Sequence, residues 1–226
     1  MRGLHHPSAD DINLPVVPNA RAGHSVKKDR EAGHYDRSML KPHYPLVTTR
    51  LTLRPYTMDD LDFVYDLQSR PEVTRYLYFG PRDRDKAREA LQVKRQSAAL
   101  KDEGDSIMLG VVLNETGALV ADVMLRWLNR EHQLGEVGYI VHPDHGGKGY
   151  ATEAAEAMLR LGFEEVGLHR IVGRLDARNA ASARVLERLG MRREAHLREN
   201  EFVKGEWTDE LVYAMLQDEW RSRAGR

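Results

Sequence analysis

The stretch whose reading decides the fold is His142-Pro143-Asp144-His145-Gly146-Gly147-Lys148-Gly149-Tyr150-Ala151-Thr152-Glu153-Ala154. It follows the apolar run Val137 to Val141, which reads as a strand, and leads into Ala151 to Phe163, which reads as a helix. Three glycines and a lysine therefore stand where a strand turns sharply into a helix N-terminus. Such a junction exposes unpaired backbone N–H groups and the positive end of a helix dipole, which together make an anion site. An anionic cofactor is the first inference.

Spelling excludes two familiar phosphate loops. A P-loop needs Ser or Thr after its Gly-Lys pair to hold Mg²⁺, and here Lys148 is followed by Gly149. The dinucleotide fingerprint needs a third Gly or Ala three residues after the second, where this chain has Thr152. A second segment narrows the choice. His169 to Leu175 reads as a strand, Asp176-Ala177-Arg178-Asn179 as a loop, and Ala180 to Leu189 as a helix capped by Asn179 and stopped by Gly190. Val185, Leu186 and Leu189 form its apolar stripe, with Arg184, Glu187 and Arg188 turned to solvent.

These two segments, in this order, resemble the acyl-CoA-binding motifs of the GNAT (Gcn5-related N-acetyltransferase) superfamily. They most resemble its branch of ribosomal-protein N-terminal acetyltransferases and their small-molecule-acetylating relatives. The similarity covers roughly Thr48 to Trp220. One departure stands out: the first loop position, often Gln or Arg in the family, is Asp144. The resemblance implies an α/β fold: a twisted mixed sheet with a V-shaped splay between two parallel strands, flanked by helices. It implies acetyl-CoA as co-substrate and no metal. The edge at Ile140 and Val141 would pair with the pantetheine amides. The backbone through His145, Gly146, Gly147, Lys148, Gly149, Tyr150 and Ala151 would wrap the pyrophosphate.

Composition sets outer bounds. The chain has 226 residues, enough for one domain with a complete core, and a formal net charge of -1. That balance encodes no global pull toward nucleic acid or membrane. The absence of cysteine excludes a disulfide scaffold, a thiolate nucleophile and Cys-ligated zinc. No apolar run approaches the ~20 residues of a membrane span, and no signal-peptide core follows Met1. The expectation is a cytoplasmic protein, monomer or homodimer.

Residues 1–45 hold five of the nine prolines and five of the ten histidines without apolar periodicity, so they read as an extension, partly disordered. Residues 46–226 read as the acetyltransferase domain. Within it, Leu51 to Pro55 alternates like a strand, and Thr57 to Asp60 caps a helix carrying Leu61, Val64, Tyr65 and Leu67. Pro71 and Pro81 bracket a loop containing Tyr76, Leu77, Tyr78 and Phe79, and a charged helix follows from Asp83 to Leu100. Ile107 to Leu113 and Leu119 to Leu128 are strands joined by a turn at Asn114 to Gly117. Ala195 to Phe202 and Glu210 to Leu216 form a late hairpin around Lys204-Gly205.

Acetyl transfer from a thioester needs a neutral amine, a polarised carbonyl and a protonated leaving thiol, with no covalent enzyme intermediate. Some relatives place a glutamate where Glu136 stands, to take the amine proton through water. Its alternative reading is a strand-end surface carboxylate. Ser182 falls where this branch places a hydroxyl near the CoA sulfur and is the candidate general acid, against a plain solvent-facing serine. The tyrosine many relatives use instead would fall at Leu186. Asn179 caps its helix and is a candidate pantetheine contact; Arg184 and Lys148 are candidate phosphate contacts. Tyr139 reads as core or wall packing with no chemical role. Pro143 separates His142 from His145, so they read as loop histidines rather than metal ligands. Trp127, Tyr78 and Phe79 are read first as core and second as walls of the acceptor pocket.

The expected function is acetyl-CoA-dependent N-acetylation of a primary amine on a protein N-terminus, metabolite or antibiotic. The rivals are a non-catalytic acyl-CoA-binding regulatory module and a transferase for a longer acyl group such as succinyl.

Overall fold

Strand pairing in the computed structural model, which describes residues 41–224, builds one open sheet of eight strands. In chain order the elements are β1 (Leu46–Val47), β2 (Leu51–Arg54), α1 (Leu61–Ser69), α2 (Pro71–Thr74), α3 (Arg84–Gln96), β3 (Ser106–Leu113), β4 (Leu119–Asn129) and β5 (Leu134–Val141). They continue as α4 (Tyr150–Arg160), β6 (Arg170–Asp176), α5 (Ala180–Arg188), β7 (Arg192–Val203), β8 (Glu206–Leu216) and α6 (Gln217–Ala224). The spatial order is β1-β2-β3-β4-β5-β6-β8-β7. Only β5 and β6 run parallel, and α4 crosses over between them, as a parallel connection requires. The mixed sheet flanked by helices agrees with the expected architecture; the reading of residues 1–45 as an extension falls almost wholly outside the described residues.

Alternation along β4 and β5 decides which side chains face which layer. Ala121, Val123 and Leu125 on β4 and Val137 on β5 join the main core with Ala154, Ala155, Met158 and Leu159 of α4. The α4 pattern of small then large residues at i, i+1, i+4 and i+5 is what lets the helix lie flat on the sheet. Burying Met158 and Leu159 contributes roughly 1.5–3 kcal/mol each. The intervening positions face the opposite layer, where Tyr56, Val64, Ala87 and Leu91 form a smaller core between α1 and α3. There Lys94 of α3 and Asp122 of β4 form a buried ion pair.

The parallel register is short. Leu134, Gly135 and Glu136 oppose Arg170, Ile171 and Val172, and pairing then stops. Beyond that point β5 stays bonded to β4 through Val141, while β6 stays bonded to β8 through Asp176. The two strands separate because each follows its other neighbour. This is the expected V-shaped splay.

Several element boundaries depart from the periodicity, and both strands of the late hairpin start earlier than expected, β7 at Arg192 and β8 at Glu206. The supposed loop between Pro71 and Pro81 begins with the short helix α2, since Pro at a first helical position is pre-organised for it. The charged helix stops at Gln96 rather than Leu100, the Ser97 amide closing on Lys94 O. The helix expected to reach Phe163 ends at Arg160 and widens into a π turn over Leu161–Val166. Gly162 sits so close to Ile171 that a Cβ there would lie 2.6 Å from Ile171 Cδ1.

Gly135 is similarly confined: a Cβ would meet Leu168 Cδ1 at 2.5 Å and the Arg126 carbonyl oxygen at 3.1 Å. Gly135→Ala is expected to destabilise the fold by about 1–3 kcal/mol through overpacking. A urea titration should show a lower midpoint at unchanged slope.

Candidate active site

The predicted phosphate loop begins as a tight turn over Pro143–His145. Within it the His145 and Gly146 amides bond back to the His142 and Pro143 carbonyls. From Gly147 to Ala151 the backbone N–H groups have no protein acceptor among the described residues. Gly147 and Gly149 adopt φ of 73° and 81°, left-handed values that glycine tolerates and other residues resist. That pair of reversals leads directly into the N-terminus of α4, where the amides are left without acceptors. The result is a run of free backbone amides suited to an anion, a cradle with the Arg50 guanidinium alongside: a Cβ on Gly149 would lie 3.4 Å from it.

Several side chains hold the cradle, and spacing did not reveal them. Arg50 donates from Nε to Glu153 Oε2 at 2.6 Å and from NH1 to the Lys148 carbonyl at 2.9 Å. The Thr48 hydroxyl and the Arg50 amide both donate to Glu153 Oε1, so that carboxylate is held below its ordinary pKa range despite partial burial. On the other flank His142 is buried. Its Nδ1 accepts from the Asp144 amide, which leaves the proton on Nε2 to donate to Asp66 of α1 at 2.6 Å. His142 is thus a strut between α1 and the loop, while His145 stays in the loop itself. Lys148 Nζ donates to the Asp144 carbonyl. No local pattern could have paired Arg50 with Glu153 or Asp66 with His142. Each pair joins residues far apart in the chain.

The sheet splay opens beside this cradle, with Ile140 and Val141 on its β5 side, both half-buried. Across the opening, Asn179 accepts from the Ser182 amide at 3.1 Å and so caps α5. Arg184 is exposed on that helix, and Leu186 is buried under the sheet. Ser182 is not a plain surface serine. Its hydroxyl donates to Tyr139 Oη at 3.0 Å, and Tyr139 donates in turn to the Ser182 carbonyl at 2.9 Å. The packing role read for Tyr139 holds, since its ring lies against the main core, but its hydroxyl is engaged with the candidate acid.

Glu136 is 7% exposed, which excludes the surface-carboxylate reading. Burial pushes its pKa up to about 7, against the opposing pull of Arg174 and Arg126; Glu210 and Glu201 add to the rise. It is coupled electrostatically to Tyr78, Glu201 and Glu210, which line a cleft together with Tyr76 and Leu77 after α2, Val203 and Lys204 of the β7–β8 hairpin, and Arg75 and Arg178. Glu210 is also buried and raised, with Oε2 accepting from Asn200 at 3.0 Å and Oε1 without a partner. Lys204, at the hairpin turn, clasps the end of α2 by donating to the Thr74 and Arg75 carbonyls at 2.8 Å. Of the aromatic residues considered as walls, only Tyr78 lines this cleft; Trp127 packs against the core and Phe79 lies under the Arg82 guanidinium. Phe202 and Trp207 are exposed and tilted against each other at 5.3 Å, on the strand face opposite Glu201 and Val203.

Residues 50–192, which carry the glycine loop and the split parallel strand pair, match the family model described as an acetyltransferase (GNAT) domain. The chain belongs to the GNAT acetyltransferase family. The uncharacterized N-acetyltransferase YnaD of Bacillus subtilis is 32% identical over 77% of this chain and 98% of its own. A GNAT-family acetyltransferase structure from Bacillus anthracis superposes with a TM-score of 0.71 at 30% identity, covering 78% of this chain and all of that one. The spermidine N-acetyltransferase of Vibrio cholerae, solved with CoA and spermine, gives 0.65 at 25% identity over 77% and 99%. This GNAT protein is therefore an N-acetyltransferase-type enzyme with acetyl-CoA as co-substrate. Among the described residues no helix is long and apolar enough to cross a membrane.

Gly149→Ala is expected to weaken CoA binding about tenfold, because forcing alanine into the left-handed region costs about 1–2 kcal/mol. Calorimetric titration with CoA measures this directly. An unchanged dissociation constant would detach the cradle from the diphosphate.

Proposed function

We propose that this enzyme acetylates a primary amine that carries a second positive charge, by direct attack on acetyl-CoA with Glu136 as general base. The observation that carries this reading is the cleft itself: Glu201 and Glu210 line it, and the buried Glu136 is close enough for both to raise its pKa. Among the described residues the Glu136 carboxylate has no hydrogen-bond partner, and neither does one oxygen of Glu210. Arg174 and Arg126 offset part of that charge; of the cations in the cleft wall, Arg178 is paired with Asp176 and Glu206, and Lys204 is bound to the Thr74 and Arg75 carbonyls, with Arg75 beside them. A cationic acceptor would lower the cost of keeping these carboxylates ionised in a buried site.

In this reading the cofactor is held through the amides from His145 to Ala151, with Gly146, Gly147, Lys148, Gly149 and Tyr150 between. Ile140 and Val141 offer free strand-edge groups to the pantetheine amides, as an added strand would use them. Asn179 and Arg184 border the same path. The bound thioester supplies the acetyl group; the chain's own work is proton handling and orientation. Glu136 takes the proton from the arriving ammonium, directly or through one water, and a base with pKa about 7 is matched to that task near neutral pH. Ser182 gives its hydroxyl proton to the departing sulfur and regains one from the acetylated nitrogen, so atoms and charge balance without an enzyme-bound intermediate. The likeness to a spermidine N-acetyltransferase makes di- and polyamines the first acceptors to try.

With Glu136 as base, kcat/KM should rise as pH is raised through about 7, because only the ionised carboxylate accepts a proton. Glu136→Gln is expected to lower kcat by ~10²–10⁴-fold and to erase that limb of the profile. A second measurement tests acceptor charge: thiol release with a panel of diamines, monoamines and peptides, for the parent enzyme and for Glu201→Gln. Diamines should be preferred, and the variant should raise their KM more than it lowers kcat. Equal use of neutral monoamines would refute the charge requirement, and tight CoA binding with no thiol release would refute turnover.

A further inference from the structure

We infer that Tyr139 is a positioning residue for the leaving sulfur, acting through Ser182 as a two-position hydroxyl switch. The inference rests on the reading of Ser182 given above. Its warrant is the direction of two hydrogen bonds. Tyr139 Oη donates to the Ser182 carbonyl at 2.9 Å, so toward Ser182 Oγ, 3.0 Å away, it accepts. The Ser182 proton is therefore committed to Tyr139 and is not offered to the gap where β5 and β6 part.

For Ser182 to serve a sulfur in that gap, its proton must leave Tyr139. The geometry allows this without loss. When Ser182 Oγ–H swings to the sulfur, Tyr139 Oη–H can rotate from the carbonyl to Ser182 Oγ across the same short separation. The Ser182 carbonyl lies within α5, where the helix's own axial bond remains available to it. Two donated hydrogen bonds exist before the switch and two after it. The second arrangement also points a donor at Ser182 Oγ while that oxygen is losing its proton, which stabilises the charge developing there. Burial keeps the Tyr139 hydroxyl protonated well above its ordinary range, so it stays a donor throughout. The C–S bond breaks, the sulfur takes the Ser182 proton, Ser182 takes the proton the new amide nitrogen releases, and Tyr139 loses none.

Position explains why tyrosine can do this here. Tyr139 follows the last paired residue of β5, Glu136, by three, on the part of the strand that has left β6. Ser182 is in the first turn of α5, fixed there by the Asn179 cap. The splay and the cap together bring two hydroxyls 43 residues apart in sequence into contact.

Tyr139→Phe removes one oxygen and keeps the ring in the core, so the fold is expected to persist at nearly the parent melting temperature. Two readouts test the inference on Tyr139→Phe, Ser182→Ala and the double variant. The first is titration of the thiol of bound CoA, followed by thiolate ultraviolet absorbance. The parent should ionise that thiol at lower pH than Tyr139→Phe or Ser182→Ala, and the double variant should shift it no further than Ser182→Ala alone. The second is steady-state turnover. Tyr139→Phe should lose about tenfold in kcat with KM for acetyl-CoA within twofold, and the double variant should be no slower than Ser182→Ala, the non-additivity expected of groups acting as one unit. A Tyr139→Phe enzyme with parent-like thiol ionisation and kcat overturns the switch, as do losses that multiply in the double variant. If Ser182→Ala itself keeps parent turnover while Tyr139→Phe is slow, the donor reading of Ser182 falls, and the switch falls with it.

Discussion

The constraint on which this structure depends is that β5 and β6 are held as neighbours for only three residue pairs. Each strand is bonded along its full length to a different antiparallel partner, β4 on one side and β8 on the other. Twisted sheets pull such partners apart, and the parallel pair is the weakest seam because its bonds are slanted and few. Past Glu136 and Val172 the inner edges face a gap. Backbone polar groups in a gap need a partner, since an unpaired buried amide costs about as much as a lost hydrogen bond. A ligand with its own amides would meet that need, as an added strand does.

Everything placed around the seam follows from which neighbour it rides on. Glu136 rides with the last paired position, so it is buried at the apex, where its carboxylate is desolvated. Tyr139 lies past the apex on the diverging strand and can reach across to α5. The phosphate loop begins where β5 ends, so its cradle opens on the same side as the gap. Arg50 and Asp66 brace that loop from β2 and α1, elements with no sequence link to it.

Charge is handled differently on the two sides of the seam. At the cradle, the acidic Glu153 in the first turn of α4 is neutralised by Arg50 and Thr48, which keeps its negative charge from opposing an incoming anion. In the cleft, carboxylates outnumber their close cationic partners, and Glu210 keeps a bare buried oxygen. One side is prepared for negative charge. The other is left short of positive charge.

The sequence alone determined the strand–glycine loop–helix unit read at 137–163, all but its last turn, the Asn179-capped helix and most strand positions, because these depend on short-range rules: φ limits at Gly147 and Gly149, a side-chain cap, and alternation. It also placed Glu136 and Ser182 at informative positions. It left open the depth to which Glu136 is buried, gave Tyr139 no partner, and overran α3 and α4 by a few residues. Those features belong to tertiary structure. The Glu136 pKa is raised by burial and by Glu210 and Glu201 from distant segments; the Tyr139–Ser182 contact joins β5 to α5 across 43 residues; and Gly162, just past the end of α4, packs close to Ile171. Local propensity carries no information about a neighbour that arrives from elsewhere in the chain, and at each of these positions such a neighbour sets the outcome.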